Sequence, residues 1–421
     1  MSTNAMDPYA GNILVSGLGP ILDPAEALKS LMRLPARPPA MDGVPMHVRL
    51  HLVMDVLDIH IPTIVERKLQ QSIDLIIRQN YKARDPRLAS TWGSISGEVR
   101  HSSVGLHPAL AAAVEGISGV GKTRACQGCF ATLPRQVIWH ESFPRLVGGL
   151  HQVVYQSIEV PASGRASDLA RALMSSWTLT TGSQRFDQWL AKDKIHGHRA
   201  LEEWRQVAVT HFLGALHLDE IQNLFKLSTL RQRKARRGGV DAPELAIVED
   251  FVLRWMLSLT NSGQVALLLS GTPDGIGAVT KRLSTMQRVT TGGYHQFERL
   301  DLKSELAKSR SSFLQILAGY QYVQQKITMD DKLIGLIFEL TAGVQRIVVA
   351  LWIAAHRVAF DRKTDDLRRE DFVQASRTWL APLGPAIAAL RSGDPEKMSR
   401  YDDLIPRDTA FWASFWERVG H

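Results

Sequence analysis

The sequence has few cysteines and no long hydrophobic run, and each absence excludes a class of protein. Only two of its 421 residues are cysteine, which excludes a disulfide framework and favours a reducing compartment. The longest apolar stretch, Ile347 to Ala355, is far too short to span a bilayer. The N-terminal segment lacks the basic and apolar parts of a signal peptide. These absences predict a cytoplasmic protein that does not enter a membrane.

Aromatic residues are also scarce, at 7% of the chain, although ten of them are tryptophan. The chain is 45% apolar and 22% charged, a composition typical of globular proteins with about two or three domains. The formal net charge is +8 and the pI is about 9.5. This basic excess permits nucleic-acid binding without establishing it, because a protein that binds only nucleotides and other proteins can carry the same charge.

The first hundred residues predict a helical segment. A short helix is expected near Pro24–Met32, followed by a proline-rich stretch, Leu34–Pro45. Apolar residues then recur at helical spacing over Val48–Tyr81, with a break at Ile61-Pro62, which predicts two helices. In the second, Thr63–Tyr81, one apolar side is expected from the following residues: Ile64, Leu69, Ile73 and Ile77.

From about residue 106, short apolar runs alternate with helical stretches. Strands separated by helices predict a parallel sheet that is covered on both faces. The expected strands lie in four runs: Leu110–Val114, Val153–Val160, Phe212–Leu218 and Val265–Leu269. From about residue 302 to 380 the pattern is purely helical, with helices expected over Ser312–Leu317, Asp331–Leu340 and Arg346–Arg357.

A glycine-rich segment follows the first of these strands. It runs Gly116-Ile117-Ser118-Gly119-Val120-Gly121-Lys122-Thr123 and satisfies the pattern G-x-x-x-x-G-K-[ST]. Glycines let the backbone wrap around phosphate oxygens, and the amides point inward beside a helix N-terminus. We expect Lys122 to reach the β- and γ-phosphates of ATP, and the Thr123 hydroxyl to ligate Mg²⁺. The predicted nucleotide-binding residues are Gly116, Ser118, Gly119, Val120, Gly121, Lys122, Thr123 and Arg124.

The third strand ends in two acidic residues, the Walker B pattern. We expect Asp219 to hold Mg²⁺ through water and Glu220 to orient the attacking water as a catalytic residue. Two acids after a strand are a weak signal alone, because acids often cap helices. Their distance from the P-loop strengthens the interpretation. The fold class predicted from these features is α/β: an AAA+ P-loop NTPase with a five-stranded parallel sheet, a C-terminal helical lid and an N-terminal helical extension.

Within this fold class, four segments are predicted. They are an N-terminal helical extension at 1–100, an α/β nucleotide-binding core at 101–302, a helical lid at 303–380 and a C-terminal tail at 381–421.

Further catalytic residues are predicted at the positions where AAA+ proteins place them. The fourth strand ends in Ser270-Gly271-Thr272-Pro273, and Thr272 is the preferred sensor of the attacking water, with Ser270 as the alternative. In the lid, Arg346 opens a helix and is predicted to contact the γ-phosphate. An arginine that completes a neighbouring subunit's site is expected between the last two strands, where Arg288 or Arg282 is the candidate. A turn hydroxyl and solvated surface arginines would show the same patterns.

The two cysteines form a C-x-x-C pattern, Cys126 to Cys129, in the helix after the P-loop. Such a pair suggests zinc or redox chemistry, but no second pair exists to complete a metal site. We therefore expect two small residues on a buried helix face.

A basic tract follows the Walker B strand. It contains six basic residues and no acid, followed by Gly238-Gly239. Lysine and arginine in such a loop would follow a phosphate backbone without reading bases. A solvated basic loop is the alternative, and the lack of interleaved aromatic residues gives no sign of base stacking. The predicted DNA-binding residues are Lys226, Arg231, Arg233, Lys234, Arg236 and Arg237.

From about residue 45 to 406 the chain resembles the TnsC/TniB family of transposition regulator ATPases, found in heteromeric cut-and-paste and CRISPR-associated transposons. Besides the two Walker motifs and the strand Leu269–Pro273, the likeness lies in four short segments. They are Asp85-Pro86-Arg87, Thr91-Trp92, Ala389–Pro395 and the stretch from Ser399 through Tyr401-Asp402-Asp403-Leu404. The nucleotide motifs are general to AAA+ proteins, and the tail together with the strand contexts narrows the resemblance to TnsC.

The resemblance implies a bacterial cytoplasmic ATPase that assembles on double-stranded DNA. The assembly would be a homo-oligomeric ring or filament with about six or seven subunits per turn. It would link a TniQ-like or TnsD-like target selector to transposase subunits. The implied partner-binding residues are Tyr401, Asp402, Asp403 and Leu404.

Three other functions fit parts of the sequence. A replication initiator or helicase loader has the same chemistry but usually adds a winged helix or helix-turn-helix after the lid, and the roughly forty residues after 380 do not suggest one. A non-enzymatic scaffold is disfavoured by intact Lys122, Asp219 and Glu220. A signalling ATPase would be expected to carry a sensor or repeat domain.

Overall fold

The computed structural model describes residues 7–96, 108–227, 245–280, 287, 290–308 and 312–398. The chain divides into two compact units, which we call the sheet unit and the helical unit. The sheet unit contains the described residues of 1–27, 65–115 and 123–296. The helical unit contains those of 28–64, 116–122 and 297–421. Residues of the predicted N-terminal segment are thus divided between the two units.

The sheet unit is built on a five-stranded parallel sheet with the order β4-β5-β8-β1-β9, which confirms the predicted fold class. All four predicted runs contain a strand, and β9 adds the fifth. Two further strand pairs are antiparallel: β2 with β3, and β6 with β7. The strand bounds are β1 Ala111–Gly116, β2 Val137–His140, β3 Leu150–Val153, β4 Tyr155–Glu159, β5 Ala215–Asp219, β6 Phe225–Leu227, β7 Leu245–Ile247, β8 Ala266–Gly271 and β9 Gly293–Phe297.

The central strands β5 and β8 are mostly apolar and every one of their residues is buried, as expected for strands that helices cover on both faces. β8 lies between β5 and β1, and Leu269 of β8 is aligned with a residue of each. Its parallel partners are Leu218 on β5 and Ala113 on β1. This alignment brings the carboxyl ends of β1, β5 and β8 to one edge of the sheet, where ligands bind in open α/β sheets.

Helices of the sheet unit pack through stripes of large side chains. Three tryptophans, Trp177, Trp204 and Trp255, are buried in its core. The helix Ala166–Thr181 ends where Gly182 adopts a left-handed conformation with φ +68°. Helices wholly in the sheet unit are Ile13–Ser16, Ala89–Ser96, Ala166–Thr181, Asp187–Leu190, Gly197–Thr210, Asp250–Asn261 and Pro273–Thr280, with a 3₁₀ turn at Ile221–Leu224.

Three more helices contain residues of both units: Pro24–Leu31, Ile64–Ala83 and Lys122–Phe130. In the second of these, Leu69, Ile73 and Ile77 are buried as predicted. The prediction for Ile64 was wrong: its side chain is 66% exposed, because it is the first residue of the helix and lies ahead of the apolar stripe.

The helical unit has its own core around Trp352 and Phe372. Buried Arg49 forms an ion pair with Asp365, at 2.6 Å between Nη1 and Oδ1. The three predicted lid helices are present, with slightly different bounds. Helices of this unit are Met46–Leu52, Leu302–Leu306, Phe313–Leu317, Asp331–Thr341, Gln345–Phe360, Arg369–Thr378, Gly384–Ser392 and Pro395–Met398, with 3₁₀ turns at Val53–Asp58 and Ala381–Leu383.

In the described part of the chain, no single helix has both the length and the apolar character needed to cross a membrane. The bent pair Asp331–Thr341 and Gln345–Phe360 meets that requirement only when both helices are counted together.

Candidate active site

The P-loop connects β1 to the helix Lys122–Phe130. Gly119 and Gly121 have φ values of +85° and +99°, which side chains rarely allow. A Cβ atom at Gly119 would also lie 2.9 Å from Cγ1 of Val344 and 3.3 Å from Cβ of Arg346. Glycine is therefore required here both by the backbone conformation and by the close neighbour.

Lys122 lies inside the curve of the P-loop. Its ammonium group donates hydrogen bonds to the carbonyl oxygens of Gly116, at 2.7 Å, and Ile117, at 3.1 Å. The residue is only 5% exposed, so its charge is fixed within the loop. The first N–H groups of the helix that starts here have no acceptors within that helix. A lysine ammonium beside such N–H groups is suited to phosphate oxygens.

The predicted lid arginine lies beside the P-loop within the helical unit. The backbone N–H of Arg346 donates to the carbonyl oxygen of Gly119 at 3.0 Å. Its side chain is exposed, so its guanidinium group is accessible to a ligand. Ile117 of the P-loop also packs against an apolar cluster that contains Val344 and Leu390. The start of the helix Gln345–Phe360 and the P-loop therefore hold each other in place.

In the sheet unit, the predicted metal-binding residues contact each other. The Thr123 hydroxyl donates to Oδ2 of Asp219 at 2.6 Å. Asp219 is 5% exposed, and its other oxygen accepts hydrogen bonds from the Glu220 backbone N–H, at 3.0 Å, and from the Ser270 hydroxyl. A carboxylate next to a hydroxyl provides the hard oxygen ligands that Mg²⁺ prefers, so these residues fit the ion.

Glu220 has a different environment from its neighbour. Its backbone is left-handed, with φ +55°, an uncommon conformation for a residue with a side chain. Gln222 connects it to the next strand end: the Gln222 amide nitrogen donates to the Glu220 carboxylate, and its oxygen accepts from the Thr272 N–H at 3.1 Å. Gln222 therefore links the predicted water-orienting acid to the predicted sensor position.

The two sensor candidates have separate contacts. Ser270 is fully buried and contacts Asp219. The Thr272 hydroxyl donates to Asp274, in the first turn of the next helix. The structure thus brings Ser270 to Asp219, the predicted metal-binding acid, and the Thr272 backbone to Gln222.

Sequence reasoning missed the residues behind Asp219. His217 lies between Ser157 on β4 and Ser270 on β8, with 2.8 Å from each ring nitrogen to a serine oxygen. Burial lowers the pKa of His217, against the raising effect of the Asp219 charge. The sequence did carry a signal for His217. Residues two apart in a strand point to the same face, so His217 is expected on the same face of β5 as Asp219.

Cys126 and Cys129 are both buried and form no disulfide, which confirms the prediction of two small residues on a buried helix face. Burial raises the pKa of the Cys129 thiol well above its usual value. Among the described residues, no group of three or more His, Cys, Asp and Glu side chains is arranged to hold a metal ion.

Several predicted residues lie outside the described residues. They are the two arginine candidates Arg282 and Arg288, the tract residues Arg231, Arg233, Lys234, Arg236 and Arg237, and the tail residues Tyr401, Asp402, Asp403 and Leu404. Lys226 lies in β6, where it pairs with Ala246 of β7.

A family model described as an AAA domain matches residues 106–277. The match contains the P-loop, both Walker B acids and the end of β8, whose contacts are described above. The chain is an ATPase of the AAA+ class. No curated protein has significant sequence similarity to it.

Several solved structures are similar to this AAA+ ATPase in fold, all at low identity. A structure of Drosophila ORC bound to DNA is 15% identical, with a TM-score of 0.41, and the likeness covers 82% of this chain and 68% of that one. The Aeropyrum pernix ORC1 protein in complex with DNA is 15% identical, with a TM-score of 0.40, over 82% and 76% of the two chains. Cdc6p from Pyrobaculum aerophilum is 11% identical, with a TM-score of 0.44, over 76% and 68%.

Proposed function

We propose that this AAA+ ATPase binds ATP with Mg²⁺ and assembles on double-stranded DNA as a transposition regulator. Lys122 and Arg346 would contact the phosphates, and Thr123 and Asp219 would hold the Mg²⁺ ion. When bound, the ion would supply positive charge that offsets the negative charge of the phosphates. Glu220 would accept a hydrogen bond from the attacking water and orient it, with Thr272 as the sensor at the neighbouring strand end.

One observation supports the DNA-binding part of the proposal. The basic tract begins within β6, at Lys226, and continues along the chain towards β7; β6 itself begins directly after the 3₁₀ turn Ile221–Leu224 that follows Glu220. That turn carries Gln222, the partner of Glu220. A phosphate backbone bound by the tract would therefore act on an element joined to the catalytic acid. Such contacts are independent of base sequence, as a regulator that acts at varied sites requires.

The oligomer and its partners are proposed from the family resemblance. Arg288 or Arg282 would complete the site of the neighbouring subunit, so that activity depends on assembly. Tyr401-Asp402-Asp403-Leu404, in the segment 381–421, would bind transposase subunits, and a TniQ-like or TnsD-like protein would select the target. ATP would hold the subunit interface, and hydrolysis would loosen the grip on DNA.

The direct test is electron microscopy of the purified full chain with duplex DNA, with and without a non-hydrolysable ATP analogue. We expect rings or filaments that require both DNA and nucleotide. A nucleotide-bound monomer that ignores DNA would overturn the proposal while leaving the ATPase assignment intact. Assemblies whose ATP turnover responds to a replicative helicase and not to transposase subunits would favour the alternative, a replication initiator or helicase loader.

The contribution of the tract is tested by replacing Arg233, Arg236 and Arg237 with glutamine. We expect weaker DNA binding and a log–log salt dependence that is shallower by about one for each DNA phosphate that the variant no longer neutralises. The matched control replaces three exposed basic residues elsewhere in the sheet unit, Lys192, Lys194 and Arg199. If both triple variants lose affinity equally, the tract has no special role in DNA binding.

A further inference from the structure

His217 is a buried polar residue in a strand that is otherwise apolar up to Asp219. It is 1% exposed. The centroid of its ring lies 5.7 Å from the ring centroid of Phe130, a residue of the helix after the P-loop. Burying an imidazole in place of an apolar side chain is unfavourable unless both ring nitrogens are hydrogen-bonded. Both are: Nδ1 lies 2.8 Å from Ser157 Oγ, and Nε2 lies 2.8 Å from Ser270 Oγ.

The directions of these two hydrogen bonds follow from a third, which joins Ser270 to the Asp219 carboxylate. An ionised carboxylate only accepts, so the single hydroxyl hydrogen of Ser270 is used on Asp219. His217 must then donate from Nε2 to the Ser270 oxygen. In a neutral ring Nδ1 is then an acceptor, and it takes the hydroxyl hydrogen of Ser157. One tautomer therefore satisfies every contact from Ser157 to Asp219.

The strand order explains why this arrangement is possible. β5 lies between β4 and β8, and Ser157 is aligned directly beside His217. His217 and Asp219 are two residues apart on β5, so both side chains are on the face that carries Thr123. A continuous series of hydrogen bonds therefore crosses three strands to the P-loop helix. Its members, in order, are Ser157, His217, Ser270, Asp219 and Thr123.

We propose that His217 is a positioning residue: as its Nε2–H tautomer it holds Ser270 as a donor to Asp219, and so aims the other carboxylate oxygen at Thr123 for Mg²⁺. This inference depends on the proposed Mg²⁺-binding roles of Asp219 and Thr123. Partners that orient a metal ligand commonly contribute about tenfold or more to metal affinity. Ser270 has the same role one step closer to the metal.

The test is a Mg²⁺ titration of the binding of a fluorescent ATP analogue to the full chain. We expect His217→Leu and Ser270→Ala each to raise the half-saturating Mg²⁺ concentration about tenfold, with binding in EDTA unchanged. His217→Gln keeps a side-chain N–H near the position of Nε2 and should restore much of the response. The double variant should be no worse than either single variant, because both break the same series.

The matched control is His140→Leu, which removes another buried imidazole of the sheet unit, bonded to Gln152 at 2.7 Å. It should lower thermal stability without changing the Mg²⁺ response. An equal Mg²⁺ shift in this control, or none in His217→Leu, would overturn the inference. If the wild-type chain itself shows no Mg²⁺ dependence, the proposed metal site fails instead.

A second readout does not involve the metal. Histidine-selective ¹⁵N NMR of the full chain, with His217 assigned by the signal missing in His217→Leu, should show a protonated Nε2 and an unprotonated Nδ1. The Nε2–H should exchange slowly and respond to Ser270→Ala. The opposite tautomer would contradict the direction of the series.

Discussion

Asp219 and Glu220 are adjacent acids at the end of one strand, but their surroundings differ sharply. Asp219 is 5% exposed, and its two oxygens accept from Thr123, from Ser270 and from the Glu220 backbone. Glu220 lies just after the strand with φ +55°, and its carboxylate contacts Gln222 in a short 3₁₀ turn. The first acid is fixed by the sheet, whereas the second depends on a segment that leads into the β6–β7 hairpin.

This difference matches the two tasks proposed for the acids. Binding Mg²⁺ requires a carboxylate whose direction does not change, and three neighbouring elements supply that rigidity. Regulated hydrolysis, in contrast, requires a carboxylate that can move into and out of contact with the attacking water. Since one Glu220 oxygen is engaged by Gln222, a shift of the 3₁₀ turn would change what this acid can bind.

The largest effect is expected from Asp219→Asn. We expect nucleotide binding to lose its Mg²⁺ dependence and turnover to fall about a thousandfold or more, because a bound metal contributes several kcal/mol to the transition state. The matched control is Asp371→Asn, which alters a buried acid of the helical unit paired with Arg362. A similar loss of Mg²⁺ dependence in the control would mean that Asp219 acts through stability alone.

The next effect is expected from Glu220→Gln. Hydrolysis should fall by about 10² to 10⁴, while Mg²⁺-dependent ATP binding stays near the wild-type level. Complexes on DNA should then last longer than those of the wild type, measured by dissociation after dilution. If they are as short-lived as wild-type complexes, hydrolysis does not time the release from DNA.

A smaller effect is expected from Thr272→Val, which removes the hydroxyl that contacts Asp274 but keeps the side-chain shape. If Thr272 senses the attacking water, single-turnover hydrolysis should slow about tenfold with ATP affinity unchanged. Asp274→Asn separates the two roles of this hydroxyl. If hydrolysis slows as much in Asp274→Asn as in Thr272→Val, the effect comes from the hydrogen bond at the helix N-terminus and not from sensing of the water.

The smallest effect is expected from Gln222→Ala. Releasing the Glu220 oxygen should raise turnover without DNA by about threefold and reduce any stimulation by DNA. Asn223→Ala is the control, since Asn223 lies in the same turn but donates to the Val160 carbonyl oxygen at 2.8 Å. Slower turnover in Gln222→Ala would mean that the amide helps to orient Glu220 and does not restrain it.

Much of the nucleotide site was predictable because its parts are close in sequence. One short loop contains Gly119, Gly121, Lys122 and Thr123, and its residue spacing predicts their roles. The central strands were predictable as apolar runs because a strand covered on both faces has mostly apolar side chains, whereas β9, Gly293–Phe297, is mixed in character and was not predicted. The position of Arg346 also followed from the start of a helix after Ala342-Gly343, where both residues adopt positive φ.

The contacts of Asp219, the proposed metal-binding acid, were not predictable in the same way. Ser157, His217 and Ser270 meet only because β5 lies between β4 and β8, and the order of strands is not written in any local pattern. The preference for Thr272 over Ser270 as the sensor stays a prediction, since it depends on the same arrangement of strands. It depended on whether each hydroxyl faces Asp219 or the following helix.

The most direct test of the account is the ATP turnover of the full chain at saturating ATP and Mg²⁺, measured with and without duplex DNA. We predict that DNA raises turnover in the wild type, and that the Arg233, Arg236 and Arg237 triple glutamine variant loses this response while keeping its DNA-free rate. Turnover that is the same with DNA bound and absent would contradict a link between the basic tract and Glu220.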